Sequence, residues 1–300
     1  MKWLRWLGRI ALVLVAIVVL GAICVGAVWW WLHPSITRTV GISYAERKGH
    51  QLTFDVLRPA HPNGCGVLVL ISGKWQSNRS SIQDVIVAPL LRRGYTVCAV
   101  MHGSQPEFTV MEIIDDLRYA IRFIRHHAAE YGIDPNRLGI VGGSSGGHLS
   151  LILAARSDAG DPAAADPVAR ESSAVQAVAV FYPPTDLLNL GESTENPGDG
   201  GPPKSFVRAF GPDATDLEKW KKIGHDVSPI YFVTPSLPPV LIIHGDADTL
   251  VPLDQSERFI AKAKEIARPT ELIVRSGKGH GWPTMIWDVR LFADWFDRWL

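Results

Sequence analysis

Between residues 10 and 32 no charged side chain interrupts the chain, and nowhere else is the apolar pattern so continuous. Beyond Pro34 the pattern changes. Residues 40–45 and 51–57 alternate apolar and polar positions around a Glu46-Arg-Lys-Gly49 turn, which predicts an antiparallel hairpin. Residues 67–71 form a short aliphatic run of the kind buried on both faces of a parallel sheet, and 95–100, the stretch from Leu138, 175–181, 240–244 and 271–274 read as further strands. Helical spacing separates them. Ile82, Val85, Ile86 and Leu90 predict a helix over 81–93 stopped by Gly94; Ile113, Leu117, Ile121 and Ile124 predict one over 110–131 stopped by Gly132. Helices are also expected from residue 145 to about 155, over 253–267, and at the end of the chain, where Trp295, Phe296 and Trp299 cluster. Strand and helix in alternation argue for a mostly parallel sheet with helices on both faces.

The first run has its own logic. As a helix, residues 10–32 would extend about 34 Å at ~1.5 Å per residue, enough to cross a hydrocarbon core. Lys2, Arg5 and Arg9 stand only on its N-terminal side, and Trp29, Trp30 and Trp31 occupy the place of an interfacial aromatic belt. Residues 1–33 are therefore expected to be a single-pass membrane anchor, with residues 34–300 as one domain on the extracytoplasmic side. A cleaved signal peptide is the competing reading, disfavoured by the length of the run and by the lack of a clear small-x-small site after it.

Composition adds two exclusions and a bound on size. Thirty basic residues balance 30 acidic ones, and removing Lys2, Arg5 and Arg9 leaves 27 against 30, so no electrostatic footprint for nucleic acid is present. Cys24, Cys65 and Cys98 lie far apart, without metal or disulfide spacing. A 300-residue chain that is 47% apolar suits one large α/β domain with additions. The Gly/Pro/acid-rich stretch 191–203 is expected to be mobile, and 187–225 is expected to be a cap inserted over the site, since it is too short to hold a core of its own.

The chemistry is expected at the bend after the strand from Leu138, where Gly142-Gly-Ser-Ser-Gly-Gly-His148 turns the chain into a helix. Such a bend lifts a serine clear of the sheet and aims the first helical amides at the oxyanion. Two registers of G-x-S-x-G fit. Ser144 is preferred as nucleophile because it follows the apolar strand directly and leaves Gly146 and Gly147 for close packing; Ser145 is the alternative. A serine needs a base and an acid from other loops of the same sheet edge. Asp248 follows the strand 240–244 and His280 follows the next strand, in the order serine, acid, histidine. Asp246 is the alternative acid, more simply read as a stabiliser of its own loop. His148 and His244 read as packed structural histidines.

With Gly142-Gly-Ser-Ser-Gly-Gly-His148, His244-Gly-Asp-Ala-Asp-Thr-Leu-Val-Pro252, Gly279-His-Gly281 and Tyr131-Gly-Ile-Asp-Pro-Asn-Arg-Leu138, the chain resembles the α/β-hydrolase superfamily from Val40 to Leu300. Within it the chain looks most like the carboxylesterase and prolyl-oligopeptidase-like group that includes hormone-sensitive-lipase-type and feruloyl-esterase-type enzymes. The resemblance implies the α/β-hydrolase fold and cleavage of a small-molecule carboxylic ester through an acyl-enzyme, with Ser144, Asp248 and His280 as triad and no metal or cofactor. It also predicts His-Gly-Gly-Gly-Trp after the strand 67–71, where this chain has Ile71-Ser-Gly-Lys-Trp75. The oxyanion hole is then expected from the amides of Gly73 or Lys74 together with Ser145, with the Lys74 side chain directed to solvent. Two other functions remain open on these residues: a prolyl-oligopeptidase-type peptidase, and a non-catalytic binding module on the same scaffold.

Overall fold

The computed structural model describes residues 2–300, with the backbone alone for Lys2, Leu4 and Arg5. The first helix, α1 (Lys2–Leu32), is followed by β1 (Ile36–Arg47), β2 (His50–Pro59), β3 (Gly66–Leu70), α2 (Asp84–Arg92), β4 (Thr96–Val100) and α3 (Val110–His126). Then come β5 (Leu138–Gly143), α4 (Ser145–Ala155), β6 (Ala177–Phe181), α5 (Leu217–Val227), β7 (Val240–Gly245), α6 (Asp254–Glu265), β8 (Thr270–Arg275) and α7 (Met285–Trp299). The strands form one eight-stranded sheet in the order β1-β2-β4-β3-β5-β6-β7-β8. The β1–β2 hairpin is antiparallel and joins β4 antiparallel; every pair from β4 to β8 is parallel. This is the α/β-hydrolase fold.

Side-chain alternation explains why the sheet has two covered faces. Along β7, Val240 and Ile242 join a core with Leu117 of α3, Leu149 of α4 and Phe259 of α6. Leu241 and Ile243 point the other way, into a second core with Leu90 of α2 and Phe292 and Phe296 of α7. Both hairpin strands are longer than the alternation predicts, and β1 is irregular between Thr39 and Ile42, where it follows the edge of the sheet.

Two helices are shorter than their sequence pattern. A 3₁₀ turn (Arg79–Ser81) precedes α2, which begins only at Asp84. The third helix opens on a capping box between Thr109 and Glu112 and ends at His126, because the apolar spacing lapses after Ile124; a 3₁₀ turn (Ala128–Tyr131) completes the segment before Gly132 turns left-handed at φ +69°.

The segment between β6 and β7 packs onto the main core instead of building one. Trp220 is fully buried, its ring 5.0 Å from that of Phe210. Composition predicts mobility over 191–203, and here the structure differs. Ser193 Oγ donates to the Leu250 carbonyl at 2.6 Å, Thr194 N–H to the Thr249 carbonyl at 2.9 Å, and Trp220 Nε1–H to the Gly200 carbonyl at 3.1 Å. The first two bonds hold the stretch against the loop that carries Asp248, and the third ties it to α5.

Residues 6–32 of α1 are long and apolar enough to cross a membrane, and none of this span is buried. Its C-terminal end is held against the domain. Arg92 donates to the carbonyls of Trp30 and Trp31, and the rings of Trp31 and Trp287 lie 5.4 Å apart.

Candidate active site

The glycines around the bend after β5 are there for space. A Cβ on Gly142 would lie 2.2 Å from the backbone of Gly146, so the strand and the helix can approach this closely only where side chains are missing. Between them Ser144 sits at φ +53°, ψ −121°, a conformation costing ~1–3 kcal/mol for a residue with a side chain. Its N–H donates to the Phe181 carbonyl at 3.0 Å, so the neighbouring strand β6 holds the bend in place.

The strain sets direction. Ser144 Oγ lies 2.8 Å from Nε2 of His280, and Nδ1 of His280 lies 2.7 Å from Oδ2 of Asp248. A carboxylate can only accept, so Nδ1 carries the proton and Nε2 is left to accept from the serine hydroxyl. Ser145 Oγ turns elsewhere, 3.1 Å from Ser72 Oγ, and its side chain is buried. Of the two registers, only that of Ser144 meets the histidine.

Asp248 is buried and well supplied with donors. Oδ1 accepts from the N–H groups of Leu250 and Val251, both at 3.0 Å, and His244 Nε2 stands 3.4 Å from Oδ2. Burial by itself would raise the pKa of this carboxyl; hydrogen bonds from His244 and His280 and from the Val251 N–H outweigh it and hold the group well below the usual carboxylate range. His244 is the packed core histidine its position suggests, with Nδ1 2.7 Å from Ser256 Oγ and Nε2 2.8 Å from the Val251 carbonyl. Asp246 is exposed and accepts the Gly277 N–H at 2.6 Å, which ties the loop after β7 to the turn before His280.

The three residues expected to form the oxyanion hole do not share one role. Gly73 and Gln76 exchange backbone hydrogen bonds of 2.9 Å in both directions, so the Gly73 N–H is already committed to a tight turn. Lys74 and Trp75 occupy the middle of that turn at φ +57° and +54°. The N–H groups of Lys74 and Ser145 have no acceptor among the described residues, and both residues line the pocket at Ser144. The Lys74 side chain is exposed. What holds the turn in its left-handed geometry is the buried indole of Trp75, packed edge-on against Phe206 and Phe210 with centroids 5.5 and 5.3 Å away.

Sequence reasoning passed over Tyr182. Held at φ +34° directly after β6, it places its ring 4.5 Å from the His280 imidazole and lines the open side of the site. Its position one residue beyond a strand at the active edge was the available signal. Burial pushes its phenol up to about 12, so at neutral pH it faces the histidine uncharged.

A comparison with protein-family models matches the model described as BD-FAE to residues 54–263, more than two thirds of the chain. The chain belongs to the BD-FAE family. BD-FAE residues thus extend from β2 to α6 and include Ser144 and Asp248, whereas His280 lies beyond the matched stretch. Among curated proteins, this BD-FAE chain is 31% identical to esterase LipQ of Mycobacterium tuberculosis over 202 residues, covering 66% of the chain and 45% of LipQ. Esterase LipC of the same organism is 26% identical over 218 residues, covering 72% of the chain and 52% of LipC. The chain thus spans about half the length of these relatives. Among solved structures, a truncated carbohydrate esterase from gut microbiota superposes with a TM-score of 0.72 at 26% identity, covering 87% of this chain and 95% of that one.

Proposed function

We propose that the protein is a serine hydrolase of carboxylic esters, with Ser144 as nucleophile, His280 as general base and acid, and Asp248 as the group that orients the imidazole. The continuous pair of hydrogen bonds from Ser144 Oγ to Nε2 and from Nδ1 to Asp248 carries this reading. Ser144 Oγ attacks the ester carbonyl while Nε2 takes its proton. The carbonyl oxygen becomes an oxyanion facing the N–H groups of Lys74 and Ser145. Collapse breaks the bond to the alcohol, which leaves with the proton from His280. A water then gives a proton to the same nitrogen, attacks the acyl carbon and releases the acid, and Ser144 regains its hydrogen. The esterase names of the relatives and of the structural neighbour support the substrate class.

The segment 187–225 acts in this reading as a cap. Leu187, Leu190 and Phe206 wall a pocket of about 50 Å³ against Ser144, room for a small apolar substituent. The N-terminal helix anchors the enzyme in a membrane, and Lys2, Arg5 and Arg9 favour an orientation with the domain on the extracytoplasmic side. A fluorophosphonate probe followed by peptide mapping tests the chemistry. The adduct is expected on Ser144, and folded protein that takes no label overturns the assignment. Protease digestion of sealed spheroplasts tests the side: residues 34–300 should be cleaved without lysis.

A further inference from the structure

The cavities that meet at Ser144 differ in kind. One is the small pocket of about 50 Å³ beneath Leu187, Leu190 and Phe206. The other, of about 460 Å³, opens past His280 and Tyr182. It shares Leu70, Ile86 and Gly143 as walls with a third hollow of about 440 Å³ lying between α2 and α7, so the two hollows adjoin across these residues. Val85, Leu90, Met285, Ile286 and Val289 line that hollow, and no side chain on its wall is charged. Ile86, at the junction, is 42% exposed. An apolar trough of this size, adjoining the cavity at a nucleophile, is surface that water wets at a cost and an alkyl chain would cover.

The same two helices hold the membrane end of α1 on another side. Pro89 and Arg92 of α2 and Trp287 and Arg290 of α7 surround Val28 and Trp31. Trp31 belongs to the aromatic belt at headgroup depth, and its ring lies 5.4 Å from Trp287. Ile286, on the wall of the trough, is the residue before Trp287. The trough thus lies between the same two helices that hold this end of α1, and adjoins the cavity at the nucleophile.

We propose that the hollow between α2 and α7 takes the long alkyl chain of an ester lying in the bilayer, while the short substituent on the other side of the carbonyl occupies the small pocket. The proposal deepens the esterase reading above and rests on it and on the membrane anchor. The substrate class is an ester with one short and one long apolar arm, reached without passing through water.

Chain-length kinetics on the full-length protein in detergent test the trough. Methyl alkanoates and alkyl acetates are compared from two to eight carbons in the variable arm, dissolved as monomers. In one of the two series kcat/KM should rise by about fourfold per methylene until the trough is filled, the worth of burying each group; which series rises tells which arm enters. Ile286→Trp should flatten that rise, and Val85→Phe, which fills the same hollow from the other helix, does so if the first variant fails to fold. Flat wild-type series, or a slope unchanged in the filled variant, overturns the proposal while turnover of methyl acetate leaves the esterase reading standing. Absence of both methyl acetate turnover and fluorophosphonate labelling overturns the esterase reading itself. In phosphatidylcholine vesicles, a hexadecyl-chain ester in the same membrane as the protein should be hydrolysed at least about tenfold faster than in separate vesicles, through its higher effective concentration; equal rates overturn the bilayer route.

Discussion

Trp75 donates its indole N–H to Nδ1 of His148 at 3.2 Å, joining the turn after β3 to the helix that follows Ser144. His148 is buried, donates from Nε2 to the Val227 carbonyl at 2.7 Å, and burial lowers its pKa to about 4, so it is neutral and can accept from Trp75. The pair thus sets the distance between the Lys74 and Ser145 amides. Trp75→Phe keeps most of the packing and leaves Nδ1 unpaired. We expect a loss of ~1–3 kcal/mol in urea unfolding, with kcat reduced by less than the ~10²–10³ that loss of an oxyanion donor costs.

The adjacent serines should separate cleanly. Ser144→Ala is expected to lower kcat by ~10⁴–10⁶ toward a short aryl ester and to abolish fluorophosphonate labelling. Ser145→Ala removes only the hydroxyl that faces Ser72 and keeps the backbone N–H, so it should still label. Loss of labelling in Ser145→Ala alone would move the nucleophile by one residue.

Asp248 makes stability depend on pH in a defined direction. Its carboxyl binds its proton less readily in the folded chain than in the unfolded one, where the pKa is about 3.9. Its stabilisation is therefore fully present above about pH 5 and declines as pH falls through about 4 toward the depressed folded value. The stability difference between wild type and Asp248→Asn, from denaturant midpoints, should shrink over that acid range. At pH 7 the same variant should lose ~10⁴ in kcat, because the amide can donate to Nδ1 and favour the wrong tautomer.

Lys74→Gly distinguishes the backbone from the side chain. The left-handed φ of +57° suits glycine, and the N–H stays where it is. We expect kcat within about tenfold of wild type, set against the ~10²–10³ attached to a lost donor. A larger fall would place the ammonium group itself in the reaction.

Much of the fold was legible because burial writes a period into the chain. Val240 to Ile243 had to be apolar on both faces to lie inside a parallel sheet, and the order of Ser144, Asp248 and His280 follows from which strands end at one edge. Stop signals such as Gly94 and Gly132 bounded helices for the same local reason. The stretch 191–203 misled, since its glycines and prolines describe an isolated peptide, while its actual restraints come from Leu250, Thr249 and Trp220.

Local chemistry alone thus determined the strands, the bend at Ser144, the apolar span of α1 and the residue types able to run acyl transfer. Only the tertiary structure decided which serine oxygen meets Nε2, that the Gly73 amide is spent on Gln76 while those of Lys74 and Ser145 have no acceptor among the described residues, and that an apolar hollow lies between α2 and α7 next to the cavity at Ser144. Hydrogen-bond partners and cavity walls are drawn from residues far apart in the chain, so no periodicity along it can record them.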